Sequence, residues 1–245
     1  MGYDFWLTDL LNKLLAGVVT PVLTAVGAAP SDPAHPIHNY TAMEILVFLV
    51  MIVGSLILRA GLSVETPGRF QQTMEVVVEF VQNMASEIIG HGSSRYVPLI
   101  GTVGLFVLIS NIFGLIPGLE TPTSYIPVTL GCAVVVFIYY NYQGIAQRGL
   151  LGYLKTFWGP IWWVGFLLFP VEVVSNLFRL LSLSVRLYAN MFVGRLLEQV
   201  FGEVVFPIAV PAVMMGLHLF VSFIQAYIFM VLPAVYISLA TSEEH

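Results

Sequence analysis

Charge is what this sequence has least of. Only 9% of its 245 residues are Asp, Glu, Lys or Arg, against about 25% in an ordinary soluble domain. Nine Lys and Arg stand against fourteen Asp and Glu, for a formal net charge of −5. That balance leaves no basic patch and excludes nucleic acid as a partner. A single cysteine, Cys132, excludes a disulfide scaffold within the chain. Intrinsic disorder needs low hydrophobicity and high charge, and neither is present. What is present is apolar: 58% hydrophobic residues and a mean hydropathy of +0.90. The composition is that of an all-α integral membrane protein.

The gaps between charges map the spans, because a hydrocarbon core about 30 Å thick needs about 20 apolar helical residues. Between Glu44 and Arg59 runs Ile45 to Leu58, extended at its start by Tyr40 to Met43. Arg95 and Glu120 bracket a second, ending at Ile116-Pro117-Gly118. Glu120 and Arg148 bracket a third, with Tyr139, Tyr140 and Tyr142 at its end, where an aromatic belt is expected. No formal charge falls between Glu203 and Glu243. As helix that stretch reaches about 60 Å, twice the core thickness. Two perpendicular spans or one steeply tilted helix would fit; with only Pro233 between Met214 and Leu239, we favour one helix entered through a connection holding Pro207 and Pro211. The preceding segment is also long and carries Glu172, Arg179, Arg186, Arg195 and Glu198, which must face protein or water. The expected fold is about five transmembrane helices, near 41–59, 97–117, 124–143, 169–202 and 207–240, the last two forming a long tilted hairpin.

Residues 41–245 read as one membrane domain and residues 1–40 as an external segment. Two amphipathic interfacial helices are expected. One is Pro67 to Ile89, with Val77, Val78 and Val81 on one side and Glu75, Glu79 and Gln82 elsewhere. The other is Leu150 to Trp163, where Lys155 accompanies Trp158, Trp162 and Trp163. Leu14 to Ala29 has some look of a signal peptide, but Asp4, Asp9 and Pro21 argue for an amphipathic external helix instead. Arg59, Arg69, Arg95, Arg148 and Lys155 fall on one side of the spans and Lys13 alone on the other. The long loops and the C-terminus are therefore expected in the cytoplasm, with the N-terminus outside.

The chemistry concentrates on the segment from Phe169 to Gly202. At 100° per residue, Glu172, Arg179 and Arg186 drift only about 20° per step of seven and share a stripe. Asn190 stays near Arg186, whereas Arg195 falls roughly opposite, with Glu198 three residues on as a possible ion-pair partner. On the last helix His218 and Gln225 are also seven apart. A guanidinium cannot be deprotonated in a protein, and at membrane depth it costs about 2.5–3.5 kcal/mol on insertion scales. Along one helix Glu172 lies about 21 Å and Glu198 about 18 Å from Arg186. Neither reaches it, and no other carboxylate lies deep in an expected span, so Arg186 points to a carboxylate on another molecule. Histidine titrates near neutral pH and can relay protons, but a hydrogen-bonded structural role for His218 is equally open. Glu172, Arg195 and Glu198 serve either a proton path or helix ends reaching water. His35 and His38 have a metal-like spacing without further ligands and read as loop residues. Ser110, Asn111, Gly101 and Gly104 read as helix-packing positions.

Ser182-Leu-Ser-Val-Arg186-Leu-Tyr-Ala-Asn190-Met resembles the signature helix of subunit a of F-type ATP synthases. Gln225-Ala-Tyr-Ile-Phe-Met-Val-Leu and Tyr236-Ile-Ser-Leu-Ala resemble the last helix of that family, and Pro67-Gly-Arg-Phe-Gln and Asn111-Ile-Phe-Gly-Leu-Ile-Pro match in style and order. The similarity runs from about Thr41 to His245. It implies a non-catalytic, ion-translocating stator subunit of a bacterial inner membrane, with no cofactor. Its implied partners are a ring of c subunits, peripheral-stalk b subunits, other ATP synthase subunits and membrane lipid. Arg186 would face the ring carboxylate and keep protons from crossing directly between two offset half-channels. Glu172 and Arg179 would line the cytoplasmic one, with Asn190, His218 and Gln225 on or near the external one. Ser182, Arg195 and Glu198 join the implied pathway. Many bacterial members have an acid where this chain has Arg195, a cation that would disfavour protonation of a facing His218. Glu198 is the expected substitute for that acid.

Two other classes were weighed. A secondary transporter would explain buried charge and broken helices but ideally shows an internal repeat, which is not evident. An intramembrane enzyme needs a nucleophile–base pair or a metal cluster, and Ser182, Ser184 and Ser222 sit in no serine motif.

Overall fold

A computed structural model describes residues 6–25, 35–63, 67–90, 92–116, 119–158, 162–204 and 209–241. Seven α-helices run through them: α1 Trp6–Ala25, α2 Asn39–Ala60, α3 Arg69–Ile89, α4 Val97–Phe113, α5 Ile126–Trp158, α6 Trp162–Val204 and α7 Ala209–Thr241. No strand occurs among the described residues. Four of these helices contain stretches long and apolar enough to cross a membrane, and α4 is a shorter apolar helix. The protein is an all-α membrane protein. The possible signal-peptide end at Ala29, Pro207 and Glu243 lie outside the described residues.

The N-terminal segment forms a helix, as expected, and it is tied down. The Asn12 side chain accepts from the Ile37 backbone N–H at 2.9 Å and donates to its carbonyl at 3.2 Å. The connection from α2 to α3 is held similarly. Gln71 accepts from the Ser63 backbone N–H at 3.1 Å and donates to the Ser63 carbonyl at 3.0 Å. This gives the Gln of Pro67-Gly-Arg-Phe-Gln71 a structural reason: one side-chain amide pairs with both backbone groups of Ser63.

α3 buries Gln71, Val81, Met84 and Ala85, and its main neighbours are α4 and α7. Its apolar stripe differs from the expected one. Val81 is in the core, but Val78 is 47% exposed. At 100° per residue Val78 lies between the buried Gln71 and Ala85, so its exposure comes from the open groove it lines with Leu58, Leu62 and Met74 rather than from its rotation. α4 is shorter than the span expected to residue 117. After Phe113 the backbone tightens into three-residue turns, with Leu115 bonding to Ile112 and Ile116 to Phe113, the usual way a helix end satisfies its last carbonyls.

α5 runs longer than expected. It passes residue 143 and is broken only at Gly149, whose φ of +70° favours glycine. The segment from Leu150 therefore begins as a kinked extension of α5 rather than as a separate interfacial helix. The side chains of Lys155, Trp162 and Trp163 lie outside the described residues. Of the three tyrosines assigned to an aromatic belt, Tyr142 is 64% exposed but Tyr140 only 2%.

α6 and α7 form the long hairpin. Their apolar stretches, Gly165–Leu197 and Val213–Thr241, hold 33 and 29 residues. At 1.5 Å per residue they reach about 50 and 44 Å, so a 30 Å core accommodates them only if they tilt or project. α6 buries Leu183, Leu187 and Met191, three residues in steps of four that make one face. Its other side is bare: Phe178, Leu181, Val185 and Val193 are all 41% exposed or more. α5 is antiparallel to α6, and Thr129 and Ser184 share a buried hydrogen bond of 3.1 Å.

Close approach at the foot of this bundle depends on Gly144. A Cβ there would stand 2.5 Å from Tyr153 Cε2 and 3.3 Å from the Ala240 methyl group. Gly144→Ala is expected to destabilise by about 1–3 kcal/mol through overpacking, and by less on a Tyr153→Ala background. Thermal denaturation of the detergent-solubilised protein measures both; equal losses on the two backgrounds would show that Tyr153 is not the obstacle.

Candidate functional site

Arg186 stands in the middle of α6 with an exposed side chain. Among the described residues nothing forms an ion pair or hydrogen bond with its guanidinium. Two polar clusters flank it along the helix.

The first lies toward the N-terminal end of α6. Glu172 Oε1 and Arg179 Nη2 are 3.9 Å apart, so the stripe read from spacing is here a direct pair. The Arg179 guanidinium lies 5.6 Å from the centre of the Tyr236 ring of α7, a cation–π contact worth about 0.5–2 kcal/mol. Asn176 stands between Glu172 and Arg179 on the same stripe. Its Oδ1 accepts from the Tyr140 hydroxyl, and its Nδ2 donates to Asn141 Oδ1 at 3.1 Å. Tyr153 donates to the same Asn141 oxygen at 2.7 Å. Hydrogen bonds thereby join α5 to α6, and the cation–π contact adds α7.

The second cluster lies toward the other end. Asn190 Nδ2 donates to Gln225 Oε1 at 3.2 Å. Gln225 is fully buried, and its Nε2 has no partner among the described residues. His218 is 6% exposed and packs on Gly194, where a Cβ would come within 3.2 Å of its Nδ1. Asn190, Gly194, Leu197, Met214 and His218 line a cavity of about 270 Å³. Arg195 turns away from this cavity. Its guanidinium lies 5.0 Å from the centre of the Tyr125 ring, its Nη1 donates to the Tyr125 hydroxyl at 3.4 Å, and it stands 3.9 Å from Glu120 Oε2. Tyr125 donates to that oxygen at 2.8 Å. Burial pushes the Tyr125 hydroxyl above its usual range, opposed by the Arg195 hydrogen bond.

This corrects one expectation: the cation at 195 does not face His218 but points at the turn before α5, where Glu120 stands beside it. Glu198 lies on α6, with its side chain outside the described residues. Ser182 is exposed one turn before Arg186. His35 and His38 precede α2 outside any helix, and no cluster of three or more metal-ligating residues occurs among the described residues.

A sequence pattern of this kind, now with two polar clusters and a bare arginine between them, can be set beside known proteins. Residues 41–238 match the family described as ATP synthase A chain. The chain belongs to that family. It is 45% identical over 245 residues to ATP synthase subunit a of Koribacter versatilis, covering all of both chains. To ATP synthase subunit a of Solibacter usitatus it is 43% identical over 236 residues, 96% of this chain and all of that one. To ATP synthase subunit a of Geobacter sulfurreducens it is 42% identical over 200 residues, 82% and 86% of the two chains. Against this ATP synthase A chain background, the residues that sequence reasoning missed are Tyr140, Asn141, Tyr153, Asn176, Tyr236, Glu120 and Tyr125. Asn176 was within reach, because it falls on the Glu172–Arg179 stripe.

Asn176→Ala leaves the buried Tyr140 hydroxyl without its acceptor, while Asn141 keeps the Tyr153 hydroxyl, and is expected to lower stability by about 1–3 kcal/mol. Tyr140→Phe with Asn176→Leu removes both partners and is expected to lose less. The melting temperature of the solubilised protein decides; an unchanged value for Asn176→Ala would dispose of the network.

Proposed function

We propose that this chain is the ion-translocating stator subunit of a rotary F-type ATP synthase. Protons reach and leave the carboxylate of a neighbouring c-ring through two offset half-channels, and Arg186 keeps them from crossing directly. The observation that carries this reading is the exposed Arg186 without a partner, between two polar clusters on the bare face of α6. The Glu172–Asn176–Arg179 cluster serves the cytoplasmic half-channel. The Asn190–Gln225 pair and His218 serve the external one. Ser182 lines the face that the ring sweeps. ATP chemistry resides in other subunits, and peripheral-stalk b subunits hold this chain against rotation.

Physical sense favours an arginine at the barrier. One charge falling through 100 mV yields about 2.3 kcal/mol, and ATP synthesis must gather several such steps. A titratable group there would pass protons and dissipate them. A guanidinium holds the ring carboxylate ionised and passes nothing. The setting is a bacterial inner membrane, with residues 1–40 as an external segment, residues 41–245 as one membrane domain, and the C-terminus in the cytoplasm.

Proton flux in liposomes holding the whole complex tests this. Arg186→Ala is expected to abolish ATP-driven pumping and to open a passive leak through the membrane sector. Coupled pumping at the wild-type rate would make the arginine structural and end the proposal.

A further inference from the structure

We infer that Tyr236 is a positioning residue for proton transfer at Glu172: its ring holds the Arg179 guanidinium beside that carboxylate and keeps it from closing into a bidentate pair. This rests on the reading of the Glu172–Asn176–Arg179 cluster as the cytoplasmic half-channel and adds a residue of α7 to it.

The ion pair is loose. Glu172 Oε1 and Arg179 Nη2 stand 3.9 Å apart, whereas a charge-assisted hydrogen bond closes to about 2.7–2.9 Å. An arginine fork left to itself takes both oxygens of a carboxylate. Here the guanidinium has an aromatic face beside it instead. It lies 5.6 Å from the centre of the Tyr236 ring, inside the reach of about 6 Å over which the π face attracts a cation. The Tyr236 hydroxyl makes no hydrogen bond among the described residues, so the ring face is what α7 offers Arg179.

Tyr236 is itself braced. Its ring centre lies 5.6 Å from that of Tyr140. Tyr140 is buried, and its hydroxyl donates to Asn176, which stands on α6 between Glu172 and Arg179. The contacts therefore close a circuit: from α6 through Arg179 to Tyr236, on to Tyr140, and back to α6 at Asn176. Asn141 and Tyr153 hold Asn176 from α5. On α7, Ala234 and Ile237 flank Tyr236 and are fully buried, which fixes the backbone that carries the ring.

The consequence is chemical. Glu172 is 47% exposed, so its carboxylate meets water. To pass protons it must take one up and release it in every cycle. A fork bonded to both oxygens would occupy the positions a proton needs. With the cation held at 3.9 Å, Oε2 has no partner among the described residues. One proton goes onto Glu172 and the same number leaves it for water, and the carboxylate is restored. Arg179 keeps its charge throughout.

The test is ATP-driven proton pumping by the whole ATP synthase in liposomes. Tyr236→Leu is expected to slow pumping about fivefold, the weight of one cation–π contact. Tyr236→Phe keeps the face and is expected to recover most of that loss. Lysine is a point charge without a fork, so on an Arg179→Lys background Tyr236→Leu is expected to cost little further. Equal losses from Tyr236→Leu on both backgrounds would make Tyr236 a packing residue. Tyr236→Phe as slow as Tyr236→Leu would assign the role to the hydroxyl. Either result overturns the inference, and so does an Arg179→Lys variant that no longer pumps, because the fork itself would then be required. If Tyr236→Leu does not assemble, Tyr236→Met supplies similar bulk without a π face and is read the same way. Arg186→Ala is run alongside. If it uncouples while Tyr236→Leu pumps at the wild-type rate, only the assignment of Tyr236 falls. If it pumps normally, the stator reading falls first.

Discussion

The antiparallel register of α6 against α7 is the constraint on which the rest depends. Three contacts along the hairpin express it: Arg179 on Tyr236, Asn190 on Gln225, and Gly194 on His218. A hydrocarbon environment offers no hydrophobic drive for two apolar helices to associate, so close packing and interhelical hydrogen bonds must supply the preference. A slip by one turn would separate all three contacts together. The same register leaves Arg186 with polar company on both sides along the helix but, among the described residues, no ion-pair or hydrogen-bond partner of its own.

α5 completes the arrangement by touching α6 near both ends of its polar stretch. At one end Tyr140 and Asn141 meet Asn176. At the other, the turn before α5 brings Tyr125 to Arg195, and between them Thr129 and Ser184 hold the two helices together. One straight helix thereby supports both clusters while the far face of α6 stays uncovered. The separation of the clusters is a matter of rise per residue, which a rigid helix keeps constant.

Much of this was legible from the chain alone, for physical reasons. Gaps between charges mark spans because charge is so costly in lipid, and the starts of α2 and α4 and the extent of α6 follow from that. Seven-residue spacing correctly put Glu172 and Arg179 on one stripe. The failures are equally physical. Tyr140 looked like an interfacial aromatic because composition cannot distinguish a tyrosine at the lipid surface from one turned inward to an asparagine. Local spacing sees only its own helix, and so it offered Arg195 Glu198 but not Glu120. Glu120 is 75 residues distant in sequence, and only the packing of the turn against α6 brings it close. Val78 lies within the buried arc of α3, and its exposure comes from the open groove beside Leu58 and Leu62, which helix periodicity does not show.

The bare face of α6 has a consequence for how the protein comes into being. A chain inserted alone would present a naked guanidinium and a row of large apolar side chains to whatever surrounds it. Lipid suits the apolar residues but not the charge, so the isolated subunit carries an unmet demand until something with a carboxylate lies alongside. That makes the solitary molecule recognisable as incomplete. Its lifetime in the membrane becomes a race between capture by a partner and removal by quality control. On the proposed function, the residue that blocks a proton leak in the finished machine would also set the order in which the machine is put together.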